Sequence, residues 1–349
     1  MALSVQENVS LSSFNSFKME GTATHFISIF SDSDMLKLKR DPIFKKNIKN
    51  YTILGGGTNI LFTKPNYPLI LYNQIKGIEL LNDKIDGLPE NNVDIFIKVG
   101  SGEIWHDVVQ YCVEKNWYGL ENLAFIPGTM GAAPIQNIGA YGVEIKDFIL
   151  LVQVFDFKTC NFVHLNCSEL NFSYRSSIFK EEFKNRFFIT HVILKLKKKA
   201  SFNLDYPGIK EYFQNNQILS PNLKDVSHCI GKIRASKLPP LEQFGCAGSF
   251  FKNPLIHKEL FDILKSQYPA LSGFIQNNGS IKISAAFLID QCGLKNFTKG
   301  QVACYKNQPL VIVNLGQAKG VEVLAFSQMV QQQVKQKFGI DLEPEVNIL

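Results

Sequence analysis

The stretch Gly245-Cys246-Ala247-Gly248-Ser249-Phe250-Phe251-Lys252-Asn253-Pro254 sets a hydroxyl after a glycine, then two large aromatics, then two side chains able to donate to phosphate oxygens. A hydrolase nucleophile would ask for G-x-S-x-G, and Phe251 stands where the last glycine belongs. A serine that gives its proton to a developing carbanion stays open, as does a simple turn cap. A second segment, Phe172-Ser173-Tyr174-Arg175-Ser176-Ser177-Ile178-Phe179-Lys180, surrounds an arginine with hydroxyls and aromatics. Arg175 stays charged and can hold a carboxylate through two parallel hydrogen bonds, although an ordinary surface ion pair would use it equally well. A third segment, Ile340-Asp341-Leu342-Glu343-Pro344-Glu345-Val346, puts both glutamates on one face if extended, with Ile340, Leu342 and Val346 on the other. Alternation does not choose between Glu343 and Glu345, and either could be a solvated carboxylate.

Two glycine-rich passages could hold an anion. Tyr51-Thr52-Ile53-Leu54 stops at Gly55-Gly56-Gly57-Thr58-Asn59, where backbone N–H groups can converge without side chains in the way. The loop fails the dinucleotide fingerprint, because Ile60 occupies the third glycine's place, and it lacks the Lys-Ser/Thr ending of a P-loop. Alone, such a turn is more often just a turn. The second passage, residues 119–142, carries repeated glycines with Pro127 and Pro134, too broken for a regular element. Two passages of this kind are a common way to hold an extended dinucleotide. Thr129, Gln136 and Asn137 offer neutral hydrogen bonding that suits a flavin edge or pyrophosphate better than a metal. The six histidines show no H-E-x-x-H spacing, so no metal is expected.

Regular elements must position these segments. Alternation at Val93, Ile95, Ile97 and Val99 predicts a strand, and Ile104, Val108, Val109, Cys112 and Val113 predict a helix over 103–116. Further strands are expected at 150–157 and 187–196, a polar connection at 213–225 and a helix at 225–235. Val323, Phe326, Val330, Val334 and Phe338 mark one face of a helix that Gly339 can end, before a strand-like close. The fold class expected is α+β with several short sheets.

A length of 349 residues implies two or three domains, and 45% hydrophobic with 19% charged residues is ordinary globular composition. The charge of +6 is modest, and lysines cluster only at Lys197-Lys198-Lys199. That argues against nucleic acid and is compatible with an anionic substrate. Seven cysteines without a C-x-x-C pair read as reduced thiols. The sequence Met1-Ala2-Leu3-Ser4-Val5 has no leader character, and no stretch nears the ~18 apolar residues of a membrane span, so a cytoplasmic, non-inserted protein is expected.

Taken together the motifs resemble the UDP-N-acetylenolpyruvoylglucosamine reductase (UDP-N-acetylmuramate dehydrogenase) family almost end to end. The resemblance is carried by L-G-G-G-T-N at 54–59, G-L-E-N-L-A-F-I-P-G at 119–128, P-I-Q-N-I-G-A-Y-G-V-E at 134–144 and Y-R-S-S-I-F-K at 174–180. K-L-P at 237–239, A-G-S-F-F-K-N-P at 247–254 and L-E-P-E-V at 342–346 complete it. It implies a two-part FAD-binding domain of the vanillyl-alcohol-oxidase-like (PCMH) type plus a smaller α+β substrate domain. The implied bounds are 1–77 and 78–232 for the two FAD subdomains, with 338–349 returning to the second, and 233–337 for substrate. The implied reaction is NADPH-dependent reduction of UDP-N-acetylglucosamine enolpyruvate to UDP-N-acetylmuramate in peptidoglycan synthesis, by a monomer. Arg175 and Glu345 would stabilise charge, and Ser249 would donate the proton, assisted by Lys252 or an ordered water. The resemblance assigns FAD to Gly55, Gly56, Gly57, Thr58, Asn59, Pro127, Gly128, Gly131, Ala132, Asn137, Ile138, Gly139 and Gly142. It assigns the substrate pyrophosphate to Tyr206, Lys237 and Asn253, and the tyrosine segment looks like the subtype with an extra closing loop, although Pro207 after it is unexpected. Rival readings are a related FAD oxidoreductase with another substrate, or a nucleotide-binding module without turnover.

Overall fold

The computed structural model describes residues 3–81, 93–276 and 278–349. The chain forms two compact units. The first holds the residues up to Val9, Thr22–Gly57 and Asn66–Arg234; the second holds Ser10–Gly21, Thr58–Pro65 and Ala235–Leu349. Each mixes helices with small sheets, which makes the fold α+β.

In the first unit, a four-stranded sheet runs in the order Ser4–Ser10, Thr22–Ile29, Asn66–Asn73, Thr52–Leu54. Its last three strands are parallel, and a parallel pair needs a crossover between its strands. The crossover here contains the helices Asp32–Leu38 and Pro42–Lys46, capped by the Ser31 and Asp41 side chains. Met35, Leu38 and Phe44 from these helices pack with Ile27, Ile29, Leu69 and Leu71 of the sheet.

A five-stranded antiparallel sheet follows, ordered Asn161–Asn166, Ile149–Asp156, Phe187–Lys197, Asp94–Gly100, Ile78–Leu80. The alternation seen in the sequence puts Ile97 and Val99 in the core, while Asp94 is buried against Lys195 and Lys197 at 3.1 and 2.7 Å. Helix Trp105–Glu114 buries Val108, Val109, Cys112 and Val113 in the same core as these strands. Helix Leu223–Lys237 adds Val226, Cys229 and Ile230 and extends beyond the expected 225–235. Helix Pro207–Asn215 reaches into the polar stretch read as a connection. Pro207 is its first residue, where a missing N–H costs nothing and a fixed φ helps, and this accounts for a proline directly after Tyr206.

The second unit carries two three-stranded sheets. One joins Leu255–Ile256, Ile281–Ile283 and Gly273–Ile275; the other joins Thr298–Lys299, Val302–Cys304 and Ile312–Asn314. Helix Gly320–Phe338 buries Val323, Phe326, Val330, Val334 and Phe338, each burial contributing about 1.5–3 kcal/mol. Gly339 ends it in left-handed geometry at φ +67°. Residues 340–346 are extended but not a regular strand; Asn347–Ile348 then pairs in parallel with Ile60–Leu61. Both strands of that pair belong to the second unit. Among the described residues no helix is long and apolar enough to cross a membrane, and no group of three or more His, Cys, Asp or Glu could hold a metal ion.

Candidate active site

In the first unit the two glycine passages meet. A Cβ on Gly55 would lie 2.5 Å from the Thr129 hydroxyl and 3.9 Å from Ala132 Cβ, so only glycine leaves this space open. Thr129 Oγ1 is buried and makes no hydrogen bond among the described residues, although buried hydroxyls are almost always paired. Gly57 and Gly128 take φ of +62° and +126°. Gly131 sits against Ser101, where a Cβ would come within 2.7 Å, and its N–H donates to the Ser101 carbonyl at 2.7 Å. Ser101 is in turn hydrogen bonded to Asn73, both buried. A bare strand end, an orphaned hydroxyl and a backbone held from behind fit the pyrophosphate of an extended dinucleotide.

The rest of the second passage supports Arg175. Asn137 is fully buried at φ +45°, and its side-chain amide donates to Glu144 and to the Ser173 carbonyl while accepting from Lys146 N–H. Its side chain therefore braces the turn that carries Arg175. That turn, Ser173–Ser176, closes with reciprocal backbone bonds of 3.1 and 3.2 Å and puts Arg175 at φ +57°. A left-handed arginine costs on the order of 1–3 kcal/mol. Arg175 Nη2 donates to the Gly139 carbonyl at 2.6 Å, and a Cβ on Gly139 would lie 3.1 Å from Nη1. Ile138 is buried, and Gly142, at φ +81°, accepts a hydrogen bond from Asn203.

Tyr206 is half-exposed, its ring meeting Tyr141 edge-on at 5.1 Å. The Tyr141 hydroxyl is hydrogen bonded to Arg234, whose Nε also donates to the Phe125 carbonyl at 3.1 Å. Burial pushes the Arg234 guanidinium below its ordinary value; Tyr141 opposes that shift and the Arg175 charge adds to it. Sequence reasoning missed Arg234, Tyr141, Ser101 and Asn73. The one available signal was Arg234-Ala235-Ser236-Lys237, whose i, i+3 spacing puts two cations on one helix face.

In the second unit, Phe250–Lys252 is laid against Glu343–Glu345. Lys252 N–H donates to the Glu343 carbonyl and Glu345 N–H to the Phe250 carbonyl, both at 2.8 Å, around an antiparallel Phe251–Pro344 bridge. Phe250 and Phe251 are fully buried and anchor the segment, while Ser249, next to left-handed Gly248, is half-buried and bridges Val311. The register sets Lys252 across from Glu343, and their charges pair at 2.5 Å. Glu345 is half-buried, and its carbonyl accepts from Asn59 Nδ2 at 3.3 Å. Asn59 is itself tied to Asn347 through its carbonyl. Thr58 and Asn59 thus belong with Glu345 in the second unit, apart from Gly55–Gly57 in the first. Asn253 Oδ1 accepts the Ala285 N–H at the start of helix Ala285–Gln291, and Lys237 is exposed at the end of its helix. Within one unit or the other the fold gathers Gly55 with Thr129, Gly139 with Arg175, and Asn59 with Glu345 and the segment that carries Ser249.

Comparison with known proteins covers the whole chain. A family profile described as the C-terminal domain of UDP-N-acetylenolpyruvoylglucosamine reductase matches residues 239–349, and one described as an FAD binding domain matches residues 43–166. The UDP-N-acetylenolpyruvoylglucosamine reductase of Chromobacterium violaceum is 39% identical over 350 residues, covering 100% of both chains. That of Flavobacterium johnsoniae is 38% identical over 348 residues, covering 99% of this chain and 100% of its own. The crystal structure of the Thermus caldophilus UDP-N-acetylenolpyruvylglucosamine reductase superposes with a TM-score of 0.66 over 99% of each chain at 22% identity, a likeness of fold. With identity near 40% running from end to end, this chain belongs to the UDP-N-acetylenolpyruvoylglucosamine reductase family.

Proposed function

We propose that the chain reduces the enolpyruvyl ether of UDP-N-acetylglucosamine enolpyruvate to UDP-N-acetylmuramate, a step of peptidoglycan precursor synthesis, with NADPH as reductant. FAD, when bound, supplies the two-electron relay that takes hydride from NADPH and delivers it to the outer carbon of the substrate double bond. The observation that carries the reading is the register of Phe250–Lys252 on Glu343–Glu345, which pairs Glu343 with Lys252 and holds Glu345 half-buried beside the segment that carries Ser249.

The chain's own residues then divide the work. Arg175 holds the substrate carboxylate, toward which negative charge spreads as hydride adds, and its bracing against Gly139 pre-organises it for that charge. Glu345 adds a hydrogen bond to the substrate carboxylate in its protonated form, since an ionised carboxylate only accepts. Ser249 gives its proton to the carbon left electron-rich, with an ordered water as helper, since the Lys252 ammonium is engaged by Glu343. Tyr206, Lys237 and Asn253 take the pyrophosphate of the substrate. Gly55–Asn59 and the loop from Pro127 to Gly142 hold the flavin. We assign the chain to two FAD subdomains and a substrate domain, and place it in the cytoplasm as a monomer.

The test is optical. The purified protein should be yellow, NADPH should bleach its flavin spectrum, and UDP-N-acetylglucosamine enolpyruvate should restore it without air. Bleaching with no restoration sinks the substrate assignment.

A further inference from the structure

Phe125 lies two residues before Pro127 and three before Gly128, in the loop assigned above to the flavin, and its backbone is left-handed at φ +59°. A bulky aromatic rarely adopts that conformation unless its surroundings impose it. Here they do. Its N–H donates to His106 Nδ1 at 3.1 Å, and its ring lies on the His106 ring with centroids 3.9 Å apart and 33° between planes. Its carbonyl accepts from Arg234 Nε at 3.1 Å. On the far side Gly231 leaves room that a Cβ, 2.7 Å from the ring, would close.

The first turn of helix Trp105–Glu114 also grips the loop downstream. Trp105 N–H donates to the Gly128 carbonyl at 3.0 Å, and Ile104 bridges Thr129. His106 is therefore one of three adjacent residues that fix the loop. It can accept the Phe125 N–H only while Nδ1 carries no proton. Protonation would turn that acceptor into a donor and set a second cation beside Arg234.

We propose that His106 is a positioning residue for the flavin-binding loop: unprotonated, it holds Phe125 and so sets Pro127 and Gly128, and flavin binding weakens when it takes up a proton. The inference rests on the FAD reading above. The charged groups that act on His106 are Asp107 on its own helix and Arg234 on helix Leu223–Lys237. Burial pushes His106 below its ordinary value of 6.5, Asp107 opposes that shift, and Arg234 reinforces it. A depressed histidine contributes stability that is whole above the unfolded value and is lost as pH falls through the folded one. The weakening therefore belongs on the acid side of neutrality.

Equilibrium dialysis of the holoenzyme between pH 8 and pH 5, read by FAD fluorescence, tests this. Wild-type affinity should fall by about five- to tenfold over that range, the worth of one lost backbone hydrogen bond. His106→Asn offers an acceptor oxygen near the Nδ1 position and does not titrate, so its affinity should stay level with pH. His106→Phe keeps the stacked ring without an acceptor and should bind weakly and evenly at both ends. A level wild-type profile, or a wild-type slope retained in either variant, overturns the proposal. A wild-type protein that takes up no flavin at pH 8 overturns the cofactor reading itself, and this inference with it.

Discussion

At Glu343 the carboxylate faces solvent and pairs with Lys252, whereas Glu345, two residues on, is half-buried and held through both its backbone N–H and its carbonyl. A carboxylate asked to meet a developing charge needs the fixed position, so the two should separate cleanly on substitution. Glu345→Ala should slow reoxidation of the reduced enzyme by substrate about 10²–10³-fold, while Glu343→Ala should change it by about threefold or less, the scale of an exposed ion pair. Stopped-flow absorbance checks both, and equal losses would remove Glu345 from its role. Ser249→Ala should slow the same step about 10²–10⁴-fold and leave bleaching by NADPH nearly unchanged. Equal slowing of both half-reactions contradicts proton donation. At this scale the sequence held much but not all. It could not separate the glutamates, because alternation is blind to the Lys252 pairing. It gave no weight to Arg234, whose partners Phe125 and Tyr141 lie about a hundred residues away.

Among elements, those with a strong period were legible. Helix Trp105–Glu114 buries Val108, Val109, Cys112 and Val113, and helix Gly320–Phe338 buries its marked face; of the alternating set, Ile97 and Val99 are buried and Ile95 half-buried, while Val93 and the helix cap Ile104 are exposed. The parallel sheet of Thr22–Ile29, Asn66–Asn73 and Thr52–Leu54 was not, since its pairings join strands remote in sequence and have no local signature. Helix Pro207–Asn215 was hidden by a Pro-Gly start that reads as a breaker. The segment that carries Ser249 is seated by close backbone approach. Gly245 exchanges hydrogen bonds with Asn314, and a Cβ there would lie 2.2 Å from the Phe17 carbonyl oxygen. Gly245→Ala should therefore cost about 1–3 kcal/mol in urea unfolding, the range of an overpacked core. A midpoint unchanged from wild type would show that the contact relaxes freely.

For the whole molecule, stability depends on pH through groups that the fold buries. Glu121 is buried with its carboxylate accepting the Gly119 N–H at 2.7 Å, and burial raises it above its ordinary value of 4.5. A raised carboxyl contributes fully below the unfolded value and loses that contribution as pH climbs through the folded one. Glu121→Gln keeps an acceptor for Gly119 and removes the buried charge. It should melt about 2–4 °C above wild type at pH 8, with the gap closing near pH 4. A calorimetric gap independent of pH would assign the effect to packing.

The second unit is assembled from Ser10–Gly21, Thr58–Pro65 and Ala235–Leu349. A ribosome therefore delivers Ser10–Gly21 about 210 residues, and Thr58–Pro65 about 170 residues, ahead of the body they belong to. At elongation speeds of about 5–20 residues per second, they wait roughly 10–40 s. During that time the Phe17 carbonyl has no Asn314 amide to accept from, and Ile60–Leu61 has no partner strand. The first unit's long continuous stretch, Asn66–Arg234, leaves the ribosome within that interval. The nascent chain thus passes through a stage in which every residue of the first unit has been synthesised while Leu11, Phe17 and Phe62, buried in the finished fold, still lack most of the unit they belong to.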